Sequence, residues 1–146
     1  MRHVAAIASA VLMSAGAAAG PPEYFPARPI QGNPAPFSEA VRVGDVLFLS
    51  GQIGVKDGKL PDTFEGQAKQ TMENIGATLK ARGLGWGDVF KCTVFIADMK
   101  NWPAFNAVYV PYFPAGKLPA RSAVGASGLA LGAMLELECM AYAGPK

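Results

Sequence analysis

The sequence predicts an α+β domain in which two helices pack on one face of a mixed sheet, in the order β-β-α-β-α-β-β. Short apolar runs bounded by Gly, Pro and Asp supply the strands. Between them lie two stretches with helical spacing. The length of 146 residues, 51% of them hydrophobic, is enough for one core and too short for two.

The first strand is expected over Phe37 to Val43 and the second over Val46 to Ile53. Only Gly44-Asp45 separates them, and Gly first in a two-residue loop suits a type II′ hairpin turn. Asp57-Gly58 marks another tight turn. A helix follows, with Asp62 as its cap and Glu65 three residues on, as in a capping box. Ala68, Met72, Ile75 and Leu79 fall on one helical face, while Lys69, Gln70, Glu73 and Lys80 lie elsewhere. Gly83 is a natural C-terminal stop.

Asp88 to Ala97 reads as a buried strand centred on Cys92-Thr93-Val94-Phe95-Ile96. A second helix runs from about Asn101, with Trp102, Phe105, Tyr109 and Phe113 among its apolar positions. Pro111 should end or kink it near Val110. Pro119 to Gly125 and Met134 to Ala143 supply the last two strands. In the final one, Leu135, Leu137 and Cys139 share one face, and Glu136, Glu138 and Met140 the other. Taken alone, that alternation favours an ordinary solvated face for the two glutamates.

The N-terminal segment is different in kind. Basic Met1-Arg2-His3 precedes an apolar run from Val4 to Met13 and then small residues to Gly20. Ala17-Ala18-Ala19 fits the small-x-small pattern that signal peptidase reads, so residues 1–19 are expected to be a cleaved signal peptide. The apolar run is short for a bilayer, which disfavours a retained anchor. The expected product is periplasmic or secreted, with no membrane attachment after cleavage. Pro21 to Pro36 lacks periodicity, so residues 20–35 read as an extended arm and residues 36–146 as the folded domain.

Composition excludes much chemistry. The one histidine, His3, lies in the leader, so the domain has neither a Ser-His-Asp nor a Cys-His pair and no His-ligated metal. Cys92 and Cys139 are too few for a thiolate zinc site, and neither GxGxxG nor a P-loop occurs. No metal or cofactor is expected. A formal charge of +2 without a basic run gives no reason to expect nucleic acid as a partner. Catalysis would fall to carboxylates, Arg, Lys, Tyr, Ser and water. For the two cysteines the apolar context favours buried free thiols, with a disulfide as the alternative in an oxidising compartment.

From about Pro34 to Ala143 the sequence resembles the Rid (YjgF) family. Six stretches carry the resemblance in the family's order: Pro36 to Val41, Phe48 to Ile53, Gln67-Ala68 through Asn74-Ile75, Lys91 to Phe95 with Asp98-Met99, Phe105 to Tyr109, and Pro119 to Val124 with Leu135 to Glu138. The resemblance implies a chorismate-mutase-like fold and a homotrimer with a central barrel, helices outside and sites in the clefts between subunits. It also implies hydrolysis of 2-imino acids and their enamine tautomers to 2-keto acids and ammonia.

On that resemblance Arg121, in Pro-Ala-Arg-Ser, matches the residue that binds the substrate carboxylate. A guanidinium suits the role because its paired donors match a carboxylate and stay charged. Glu136 matches the glutamate that positions the attacking water and can relay its proton. Glu138 is secondary. Asn106 matches an active-site asparagine, against the alternative of a helix-surface residue. The backbone at Ser50-Gly51-Gln52 matches the region approaching the ligand, although Gly51 is also explicable as a bulge or close-packing glycine. Phe37 stands where the family often has Tyr, Ala123 where it often has Cys, and Pro111 is a further departure. These losses make the expected substrate-binding pocket more apolar. They keep a non-catalytic trimeric carboxylate-binding module, and behind it a surface interaction role, as alternatives to the enzyme.

Overall fold

The computed structural model describes residues 20–30 and 32–145. The expected leader, 1–19, lies outside the described residues.

Among the described residues six strands and two α-helices form: β1 (Glu23–Pro26), β2 (Ser38–Val43), β3 (Val46–Leu49), α1 (Phe64–Ala81), β4 (Val89–Ile96), α2 (Trp102–Tyr109), β5 (Ala120–Gly125) and β6 (Leu135–Tyr142). The sheet order is β1-β2-β3-β6-β4-β5. Only β4 and β5 run parallel, joined by the crossover through α2, and every other pair is antiparallel. The mixed sheet is as expected.

One strand was not expected. The non-periodic arm contains β1, which pairs along β2 from Glu23 opposite Arg42 to Phe25 opposite Ala40. A proline and a largely exposed position hid it, since an edge strand needs neither alternation nor a full set of N–H donors.

The hairpin forms as expected, with Gly44 at φ +56°. Asp57 and Gly58 both have positive φ, closing a turn in which Lys56 and Lys59 exchange backbone hydrogen bonds. The helix start differs by one residue. Thr63, not Asp62, is the cap of α1, its side chain accepting from the Gly66 N–H at 3.1 Å. At the other end Gly83, at φ +71°, donates to Lys80 O and Leu84 to Leu79 O, a Schellman ending.

Leu47, Leu49, Val94, Ile96, Leu135 and Leu137 line the helix-facing side of the sheet and meet Ala68, Met72, Ile75 and Leu79 of α1. Cys92 and Cys139 share that side and stand directly opposite each other on β4 and β6. They form a disulfide, which corrects the expectation of free thiols. The strand register brings them together, a fact that two separate apolar runs do not reveal.

The opposite side of the sheet carries Phe48 and Tyr142, 40% and 43% exposed, beside half-buried Val46, Phe95 and Met140. Glu136 and Glu138 stand on that side, half-buried among large apolar neighbours.

Candidate functional site

Arg121 sits near the start of β5, in register with Cys92 of β4, and its side chain reaches the helix side of the sheet. Three rings of α2 surround it, because Trp102, Phe105 and Tyr109 recur at three- and four-residue spacing on one helix face. The guanidinium carbon lies 4.4 Å from the Trp102 ring centroid, 4.7 Å from Tyr109 and 5.8 Å from Phe105. All three are within cation–π range.

The rings brace one another. Trp102 stacks on Phe105, Phe105 meets Tyr109 and Tyr109 meets Phe113 at a tilt, and Phe113 meets Trp86 edge-on. Among the described residues Arg121 has no hydrogen-bond or ion-pair partner, and its buried Nη1 faces no protein acceptor. The buried Oδ1 of Asn106 and the hydroxyl of Tyr109 are likewise unpartnered. Burial pushes the Tyr109 phenol up to about 12, against a smaller lowering by the Arg121 charge. Tyr109 is therefore a neutral donor at ordinary pH.

Glu136 belongs to the other side of the sheet. Its neighbours Leu135 and Leu137 are fully buried beneath the helices, so alternation turns Glu136 the opposite way. Its carboxylate lies against Gly51, where a Cβ would overlap Oε1 and Cδ. Here the chain carries one extra residue relative to β6, since Phe48 pairs with Met140 but Gln52 with Leu137. The bulge explains why β3 ends at Leu49 and not, as expected, near Ile53.

The segment is pinned on both flanks. Gln52 and Leu137 exchange backbone hydrogen bonds at 2.9 Å, and Asn74 of α1 donates to the carbonyls of Ile53 and Val55 at 3.0 Å. Ser50 Oγ donates to Ser38 O at 2.6 Å, which ties the segment to the start of β2. Phe37 immediately precedes that start and is exposed. Glu138 stands opposite Thr93 on the side of Glu136.

The expected site residues thus fall into two groups. Arg121 and Ala123 lie on the helix side of β5, with Asn106 on the neighbouring α2, while Glu136 and Gly51 meet at the β3 bulge and Phe37 lies just before β2. A single chain does not bring Arg121 and Glu136 together. The aromatic cradle was not expected as part of the site. Trp102, Phe105 and Tyr109 read from sequence only as an apolar helix face, and nothing in that pattern says what strand residue the rings would hold.

Comparison with known proteins agrees with this architecture. The family model described as Endoribonuclease L-PSP matches residues 30–143. A mouse 2-iminobutanoate/2-iminopropanoate deaminase is 40% identical over 113 residues, 75% of this chain and 83% of that protein. The crystal structure of RidA from a Psychrobacter species superposes with a TM-score of 0.72 at 33% identity, covering 82% of this chain and 94% of that one. The E. coli YjgF gene product gives 0.71 at 34% identity, covering 74% and 88%. Similarity through almost the whole described domain, in sequence and in superposed structure alike, establishes that the chain belongs to the Rid (YjgF, or endoribonuclease L-PSP) family.

Proposed function

We propose that this protein is an imine deaminase that hydrolyses 2-imino acids and their enamine tautomers to 2-keto acids and ammonia. Similarity to the 2-iminobutanoate/2-iminopropanoate deaminases supports that reaction. The observation that carries the site is a guanidinium and a carboxylate, each unpaired among the described residues, on opposite sides of one sheet. A small substrate touching both has to lie between two copies of the chain, so the working unit is a homo-oligomer, a trimer on the family resemblance.

The exposed Phe48 and Tyr142 on the Glu136 side support such an assembly, because a second copy would cover them. In the cleft Arg121 pairs its donors with the substrate carboxylate. Glu136 orients a water against the C=N carbon, accepts its proton and returns it to the departing amine. The products are a keto acid and ammonia, and no external oxidant or reductant is needed. Asn106 contributes an amide on the Arg121 side, and Ala123 and Phe37 leave the pocket walls apolar.

Residues 1–19 act as a cleaved export signal in this reading. The Cys92–Cys139 disulfide supports it, since such bonds persist in oxidising compartments and not in a reducing cytosol.

The test of the reaction is keto-acid release from freshly generated 2-iminopropanoate and 2-iminobutanoate. Release faster than the uncatalysed rate, abolished by Glu136→Gln, supports the enzyme. Binding of the keto acid without turnover would instead make the cleft a carboxylate-binding module, a reading favoured by the apolar Phe37 and Ala123.

A further inference from the structure

Among the described residues, ring faces surround Arg121 and no polar group meets it. Among the described residues no carboxylate, carbonyl or hydroxyl meets its guanidinium. Arginines that recognise ligands are commonly held by hydrogen bonds to one edge of the guanidinium, leaving the other edge for the ligand. Here Nη1 is buried without a protein acceptor, so its edge is taken up by packing. The edge formed by Nε and Nη2 is the one left for a bidentate carboxylate.

Trp102 is the nearest of the three rings, and indole has the strongest cation–π face. It opens α2, is only half-buried, and stacks on the fully buried Phe105. That rigid backing turns a mobile side chain into a fixed plate.

We propose that Trp102 is a positioning residue for substrate binding, holding Arg121 so that its Nε–Nη2 edge faces the substrate carboxylate. The proposal rests on Arg121 being the carboxylate-binding group. Holding a ligand group in place acts on binding more than on the chemical step, so its loss should appear in KM. A ring face is required at position 102, whereas hydrophobicity alone is not sufficient.

The experiment compares Trp102→Leu, Trp102→Phe and Arg121→Ala in 2-iminopropanoate turnover, with the melting temperature of each and calorimetric binding of the product, 2-oxopropanoate. Trp102→Leu is expected to raise KM about tenfold with kcat within about twofold, and to weaken 2-oxopropanoate binding in parallel. Trp102→Phe, which keeps a face, should recover most of that loss. A Trp102→Leu protein with unchanged KM overturns the proposal. So does one in which kcat falls along with the melting temperature and Trp102→Phe restores nothing, which is the mark of a purely structural role. An Arg121→Ala protein with normal KM overturns the underlying reading instead, whatever the Trp102 variants do.

Discussion

The carboxylate of Glu136 rests against the Cα of Gly51, in space that no side chain can share. The contact exists because one extra residue bulges out of the strand between Phe48 and Gln52. Gly51 is needed here for the close approach of a neighbouring side chain, not for an unusual φ. Alternation along β6 turns Glu136 away from the core, and the bulge brings Gly51 up against it.

Gly51→Ala should therefore move the glutamate without unfolding the domain. Turnover is expected to fall at least about a hundredfold, the scale of losing a positioned general base. The melting temperature should shift by only a few degrees, because a flexible side chain and not the backbone has to yield. Steady-state kinetics beside a thermal melt checks both.

Arg121→Lys keeps the charge but loses the planar face that stacks on Trp102 and Tyr109 and the paired donors that match a carboxylate. Its KM for 2-iminopropanoate should approach that of Arg121→Ala. Wild-type KM in the lysine variant would mean that charge alone suffices.

The disulfide closes a loop between positions 47 residues apart. Chain-entropy reasoning makes it worth about 4 kcal/mol. The Cys92→Ala/Cys139→Ala double variant should lose stability of that order in denaturant titrations. Intact protein should react with a thiol reagent only after both unfolding and reduction.

Tyr109 gives the domain an alkaline limit. Its folded pKa, about 12, lies above the ordinary 10, so the folded state holds the phenolic proton more tightly than the unfolded chain. The resulting stability is fully present below pH 10 and is lost as pH rises toward 12. It amounts to as much as about 3 kcal/mol. Tyr109→Phe should lose less stability than wild type between pH 10 and 12. At pH 7 it should cost little, because the buried hydroxyl it removes has no protein partner. Urea midpoints at pH 8, 10 and 11 decide the point.

Most of the fold was legible because its signals are local. The 4-3-4 spacing of Ala68, Met72, Ile75 and Leu79, the Gly44 turn and the Gly83 stop each depend on neighbours along the chain. Strand β1 was not legible, since an exposed edge segment with a proline has no buried face to impose a pattern. The disulfide depends on register between strands more than forty residues apart, which no local pattern encodes. For the site, the resemblance supplied Arg121 and Glu136 as a pair. Only the sheet reveals that they point to opposite sides, and only packing reveals that Trp102, Phe105 and Tyr109 hold the arginine.

The most direct test of the two-copy site mixes two inactive proteins. Arg121→Ala and Glu136→Gln chains are refolded together in equal amounts and assayed for keto-acid release from 2-iminopropanoate. If each site takes its arginine from one copy and its glutamate from the next, random assembly leaves about a quarter of the sites intact. The account predicts about that fraction of wild-type activity. A mixture as inactive as its two components, when refolded wild-type protein turns over normally, would contradict it.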